Sequence, residues 1–399
     1  MKVFSAPWVL TGLAVVKDGA VALDGDAVVA AGPRAEIEAT HGPGERLDAI
    51  LLPALVNAHL HLEVSHLAGR VQGGEGLAPW VQLFIATRAT ARPEDVQPAM
   101  EMAAEDMVAA GVAAVGDVTN TLGSVGALAR AGVAGSVYLE VFGLTPERYE
   151  RMYATAREAL ERAKLPPGLR VRLSPHAVYS TLPDAVATLL DAGPGSIHLA
   201  EDPEERALVA HGTGAFARMA ASMKAPPPRP HARSAVAAVA PHLKPGHLAV
   251  HCVDVDAEDA TLLARSGATV VLCPRSNRHI GGRLPPLPLL LETGASLAVG
   301  TDSLASSPSL APLAELAALR EAFPAVPAAR LLPLAWNGAA VGAPHVGRLA
   351  PGKAPGVLAA PLAGARPADP FEHLLAAFGA PSKPPPFRWL ARQRPEATA

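Results

Sequence analysis

The chain predicts an α/β fold, a (β/α)8 TIM barrel, with a small β-rich domain assembled from the two ends of the chain. Three observations carry this. From about residue 50 onward, short apolar runs alternate with longer segments of helical character, giving eight strand candidates. Several runs are nearly continuous in Val, Leu, Ile and Ala, as strands buried on both faces of a parallel sheet must be. Histidines and acids with metal-binding or proton-transfer chemistry stand at the C-terminal ends of those runs, where barrel active sites are built.

Residues 1–48 contain short β-type runs, Ala20–Leu23 and Ala27–Ala30, broken by Gly and Asp. Barrel strands are expected near 50–57, 112–117, 133–141, 169–174, 196–199, 247–251, 269–272 and 296–300. Helices are expected between them. Pro93 to Ala110 opens with Pro followed by Glu94 and Asp95, a composition suited to a first turn. Others include Pro146 to Lys164, Pro183 to Ala192, Ala257 to Ser266 and Pro312 to Ala322. The stretch Pro226 to Pro230 reads as a loop after strand five rather than a domain linker. Beyond about 345 the alternation stops, and Gly347 to Lys353 reads as turns between short strands returning to the N-terminal unit. The expected domains are therefore 1–48 with 345–399, and a barrel at 49–344.

Composition narrows the function. The chain has 399 residues, 50% hydrophobic and 18% charged, with a formal net charge of -3, which points to neither a nucleic-acid nor a membrane partner. No apolar run reaches the ~20 residues of a membrane span. The N-terminus lacks an apolar signal core, and the two cysteines, Cys252 and Cys273, sit at apolar strand ends. They read as buried reduced thiols in a cytoplasmic protein. The expected partner is a small-molecule substrate. A homodimer is compatible with the sequence, which does not set the oligomeric state.

The chemistry begins at Pro53-Ala-Leu-Val-Asn-Ala-His-Leu-His61, where two histidines two apart leave one strand on the same side. His198 ends strand five, His251 ends strand six, His176 follows strand four and Asp302 follows strand eight. His59, His61, His198 and Asp302 suit one Zn²⁺ or Fe²⁺ with a position left for water, whose acidity the ion raises. Asp302 is also placed to accept that water's proton, although Thr301-Asp302-Ser303 alone is equally a helix cap. Glu201, three residues after His198, is a candidate proton donor; read alone it is the first-turn acid of a helix starting Glu201-Asp-Pro-Glu-Glu205. His251 is placed to orient the water or to stabilise developing negative charge; read alone it is equally a fifth metal ligand or a packed strand-end residue. Strand four, Arg170-Val-Arg-Leu-Ser-Pro-His176, has no lysine to bridge a second ion.

These motifs, together with Ser174-Pro-His-Ala-Val-Tyr179, Cys273-Pro-Arg-Ser-Asn-Arg278 and Gly300-Thr-Asp-Ser303, resemble the mononuclear aminohydrolases of the amidohydrolase superfamily. The resemblance spans nearly the whole chain. It implies a β-sandwich beside the barrel, a single Zn²⁺ or Fe²⁺, Glu201 as proton shuttle, His251 beside the nucleophile and His176 against the substrate. Pro351-Gly-Lys-Ala-Pro-Gly-Val357 departs from the family's sandwich pattern by lacking an acid.

Within that branch, His59-Leu-His-Leu-Glu-Val-Ser-His-Leu67 and Cys273–Gly281 look most like 6-amino-6-deoxyfutalosine deaminases of menaquinone biosynthesis. This resemblance places Glu63, Ser65 and Asn277 near the substrate, with Arg278 or Arg88 to meet an anionic tail. Tyr179, Trp80 and Phe84 are the candidates for stacking on a purine. The expected reaction is hydrolytic deamination of an aminopurine nucleoside. The alternatives are an S-adenosylhomocysteine, adenosine or guanine deaminase, a chlorohydrolase, or a non-catalytic scaffold that keeps the fold.

Overall fold

The computed structural model describes residues 1–352, 356–379 and 385–392. Residues 353–355, within the departure from the family's sandwich pattern, lie outside the described residues.

The barrel strands are β6 (Leu55–Leu60), β7 (Val112–Thr119), β8 (Ala134–Val141), β9 (Leu169–Pro175), β10 (Ser196–Leu199), β11 (Leu248–His251), β12 (Thr269–Leu272) and β13 (Ser296–Val299). They form two parallel four-stranded half-sheets, β6-β7-β8-β9 and β10-β11-β12-β13. Both seams close at the catalytic ends. The Thr301 and Asp302 amides donate to the His59 carbonyl at 2.9 and 3.1 Å, and the His198 amide donates to the His176 carbonyl at 2.9 Å. At the first seam a Cβ on Gly300 would lie 2.7 Å from the His59 Cβ, so only glycine lets the strands approach.

The small sheet contains β1 (Lys2–Leu10), β2 (Val15–Asp24), β3 (Ala27–Pro33), β4 (Glu45–Arg46), β5 (Ala49–Pro53), β14 (Val357–Pro361) and β15 (Arg388–Ala391). Its order is β15-β14-β5-β1-β2-β3, with β4 also on β1. The run expected as one strand at 50–57 is therefore two. β5 pairs with β1 and β14 in the small sheet, and after Ala54 the chain enters the barrel as β6. The period-2 alternation of β5 explains how one strand serves both cores. Ile50 and Leu52 pack in the barrel cluster, and Ala49 and Leu51 pack in the small-domain cluster with Phe4, Val9 and Val21.

Two helices lie in the segments that the sequence assigns to the small β-rich domain. Arg34–His41 lies within the N-terminal segment, its Ile37 packed on Val3, Ala20 and Ala22. Pro370–Phe378 buries Leu374, Leu375 and Phe378 against the barrel, so the C-terminal segment serves both units. Cys252 and Cys273 are free and buried. Among the described residues no helix is long and apolar enough to cross a membrane.

Candidate active site

The barrel brings His59, His61, His198 and Asp302 to one point. His59 lies within β6, with neither ring nitrogen hydrogen-bonded among the described residues. His61 follows the strand, its Nε2 3.1 Å from His198 Nε2 and 3.5 Å from Asp302 Oδ1. His198 Nδ1 sits 3.0 Å from the His176 carbonyl. That contact puts its proton on Nδ1 and leaves Nε2 as a lone pair facing the cluster. Asp302 has φ +57, a left-handed conformation that is strained for an L-residue. Its Oδ2 accepts from the Ser276 and Ser306 hydroxyls at 2.5 and 3.1 Å, and Oδ1 accepts from the Ser303 amide at 2.8 Å.

Glu201 and His251 complete the floor, with Glu201 Oε2 3.5 Å from His251 Nε2. Asn277 Nδ2, as oriented, donates to His251 Nδ1 at 3.0 Å. His251 therefore carries its proton on Nε2, which makes it a donor toward the site rather than a ligand. The left-handed residues Ala200, His251 and Cys252 mark the same ends of β10 and β11.

Burial sets the protonation states. It lowers His59 and His198 well below the usual imidazole range, His176 to about 3 and His251 to about 4. Burial alone would raise Asp302, but His61, His251 and His59 outweigh it and hold the carboxyl at about 2. Burial, then Asp302 and Glu205, push Glu201 well above the ordinary carboxyl value. Burial thus favours the neutral form of the imidazoles, while Asp302 stays the carboxylate and Glu201 is shifted toward holding its proton. The His59, His61 and His198 ligand atoms all lie within 4.8 Å of one another. The orphaned nitrogens of His59 and the lone pair of His198 fit one divalent cation.

Above the floor is a cavity of about 270 Å³, largely apolar, with Trp80, Phe84 and Ile85 in its wall. His176, Tyr179, Trp80 and Arg88, expected from the sequence near the substrate, line it. One face of Tyr179 is taken by Phe216, the rings stacked at 4.0 Å, and His176 meets it edge-on. Four residues expected near the substrate do not line the cavity. Arg278 is exposed and pairs with Glu321 at 3.4 Å, because the helix Pro274–Gly281 turns it away from the cavity. Ser65 is buried and donates to the Leu62 carbonyl. Asn277 stands behind His251. Glu63 also lies behind the wall, accepting from the Thr119 hydroxyl and the Asn120 and Thr121 amides, and pairing with Arg88 at 3.3 Å.

Sequence reasoning missed Glu140, Asn120 and Arg148, all of which line the cavity. Glu140 had a signal: it is a lone acid near the C-terminal end of the apolar run of β8. Asn120 links it to Arg88, donating to Glu140 at 3.1 Å and accepting from Arg88 at 3.0 Å. Arg148 had no signal, standing in the first turn of a helix after its cap Thr145.

The amidohydrolase family model matches residues 50–365. The chain belongs to the amidohydrolase family. As a member it is a hydrolase of carbon–nitrogen bonds other than peptide bonds. It is 32% identical to the aminodeoxyfutalosine deaminase of Deinococcus radiodurans over 330 residues, covering 77% of each chain. It is 31% identical to a 5-methylthioadenosine/S-adenosylhomocysteine deaminase of Nitratidesulfovibrio vulgaris over 361 residues, covering 85% of this chain and 78% of the relative. In fold it resembles Helicobacter pylori aminofutalosine deaminase in complex with methylthio-coformycin. That match has a TM-score of 0.81 and 23% identity, over 96% of this chain and 97% of that one.

Proposed function

We propose that this amidohydrolase is a metal-dependent deaminase of aminopurine nucleosides, with 6-amino-6-deoxyfutalosine as its preferred substrate and futalosine and ammonia as products. The observation that carries the reaction type is the convergence of His59, His61, His198 and Asp302 beneath a cavity whose floor also holds the buried Glu201 carboxyl, 3.5 Å from His251. These four side chains would hold one Zn²⁺ or Fe²⁺, which when bound would acidify a water to serve as nucleophile. Glu201 donates its proton to the ring nitrogen as the water oxygen adds to the adjacent amidine carbon. His251 Nε2–H steadies the developing negative charge. Asp302 receives the proton shed by the water and returns it to the departing amine. The carbon–oxygen bond forms, the carbon–nitrogen bond breaks and ammonia leaves, while the proton remaining on the added oxygen returns to Glu201 as the ring carbonyl forms.

The choice of substrate is supported by the Deinococcus radiodurans relative and by the cations in the cavity. Arg88 is already held by Glu63 and Asn120. Arg148, beside the Phe142 ring, has no acidic partner among the described residues and faces the same cavity. It is the side chain placed to meet a carboxylate on the group that replaces the nucleoside 5′-hydroxyl. The Nitratidesulfovibrio relative favours S-adenosylhomocysteine as a second reading, since that substrate also bears a carboxylate. Comparing kcat/KM for 6-amino-6-deoxyfutalosine, S-adenosylhomocysteine and adenosine, by the ultraviolet change from adenine to hypoxanthine, tests this. The first should exceed adenosine by tenfold or more, from ~1.5 kcal/mol or more for a hydrogen bond to a charged group. A better rate with either competitor overturns the substrate assignment.

A further inference from the structure

The acidic run Glu201-Asp202-Pro203-Glu204-Glu205 looks like a solvated helix start, yet its members do different things. Asp202 caps the helix Pro203–His211, its Oδ1 accepting from the Glu204 amide at 2.9 Å. Glu204 turns to the Ala215 amide. Glu205 is not needed as a cap, and it is fully buried. Its two oxygens take two consecutive amides: Oε1 accepts from Glu201 N at 2.7 Å and Oε2 from Ala200 N at 3.1 Å.

The other side of the same turn is held as tightly. The Ala200 carbonyl accepts from the Val253 and Asp254 amides at 2.8 Å each, and the Leu199 carbonyl accepts from Cys252 at 3.0 Å. Those donors follow directly on His251. Ala200, between the clamps, has φ +51, a conformation that an alanine holds only when its surroundings impose it. Without Glu205 two buried amides would have no acceptor, and nothing on that side would hold the turn.

We propose that Glu205 is the positioning residue for Glu201: by clamping the left-handed turn at Ala200 it fixes where the Glu201 carboxyl enters the cavity, 3.5 Å from His251. The inference rests on the reading of Glu201 as proton donor. Burying an ionisable group is costly, and here the two bonded amides at the base of the catalytic side chain offset that cost.

The test uses Glu205→Gln, which keeps the volume but faces two N–H groups with a single oxygen. It is compared with Glu201→Gln and with the double variant, on the best aminopurine nucleoside. Displacing a reacting group by about 1 Å costs on the order of 10²-fold. Glu205→Gln should therefore lower kcat about 10²-fold while metal content stays at one equivalent and KM stays within about threefold. Because it acts through Glu201, the double variant should be no slower than Glu201→Gln alone, a non-additivity that a general loss of structure would not give. Affinity for methylthio-coformycin should fall with kcat, while product affinity holds. Glu205→Asp, too short to span both amides, gives the same split if the glutamine variant fails to fold. Normal kcat in the Glu205 variants with an inactive Glu201→Gln overturns this proposal alone. So does a double variant slower than Glu201→Gln by the full Glu205 factor. Normal turnover in Glu201→Gln overturns the proton-donor reading and this inference with it.

Discussion

At the floor of the cavity His59, His198, His251 and Asp302 are buried, stand on or directly after barrel strands, and mostly have a named partner for each ring nitrogen or oxygen that faces away from the cluster. At the mouth, Ile85 and Met223 are 59% and 41% exposed, and Arg148 projects from a helix with no ion-paired carboxylate among the described residues. The floor is over-determined: seams, left-handed turns and hydrogen bonds all specify the same geometry. The mouth is set by helices and loops packed on the barrel from outside. Chemistry that needs sub-ångström placement belongs on the first, and selectivity that varies among relatives belongs on the second.

The contrast breaks most sharply at the ligands. His61→Ala or Asp302→Ala should drop bound metal from one equivalent per chain to near zero, with turnover falling to background. Elemental analysis showing unchanged metal would remove the floor's assigned role. Next, Glu201→Gln should keep metal and fold yet lose roughly 10²–10⁴-fold in kcat, the scale of general acid catalysis. A near-normal kcat would return Glu201 to the status of a first-turn acid.

Smaller effects sharpen the boundary between floor and mouth. Replacing both Ser276 and Ser306 by Ala frees Asp302 Oδ2. Metal affinity, read by chelator competition, should weaken about 10–100-fold, with kcat recovering at saturating metal. Arg148→Ala should raise KM about tenfold for a carboxylate-bearing nucleoside, the low end for a charged hydrogen bond at an exposed site, and leave adenosine unchanged. An equal effect on both substrates would mean that Arg148 does not read the tail. Arg278→Ala, on the outer surface, should leave kcat/KM within about twofold for every substrate.

The floor was also the legible part. His59 and His61 declare themselves by spacing on an apolar strand, and His198, His251 and Asp302 by ending later runs, because strand periodicity and barrel polarity convert position into direction. Arg278 shows where that logic stops. Helix Pro274–Gly281 buries Ser276 and Asn277 and exposes Arg278, and neighbours along a helix point about 100° apart. The motif located the helix without its rotation. Glu63 and Ser65 failed similarly, since the short helical turn Leu62–Leu67 buries both behind the wall.

By itself the sequence determined the alternation of strands and helices, the identity of the cluster and the family, because these depend on local period and on residue types whose chemistry is specific. Tertiary structure alone decided four other matters. It split the run 50–57 between two cores, put Asn277 against His251, brought Arg148 to the cavity beside Arg88, and turned Glu205 from a surface acid into a buried clamp. Each of these rests on contacts between elements far apart in the chain or on the facing of a helix against its neighbours. Such contacts exist only once the barrel has closed.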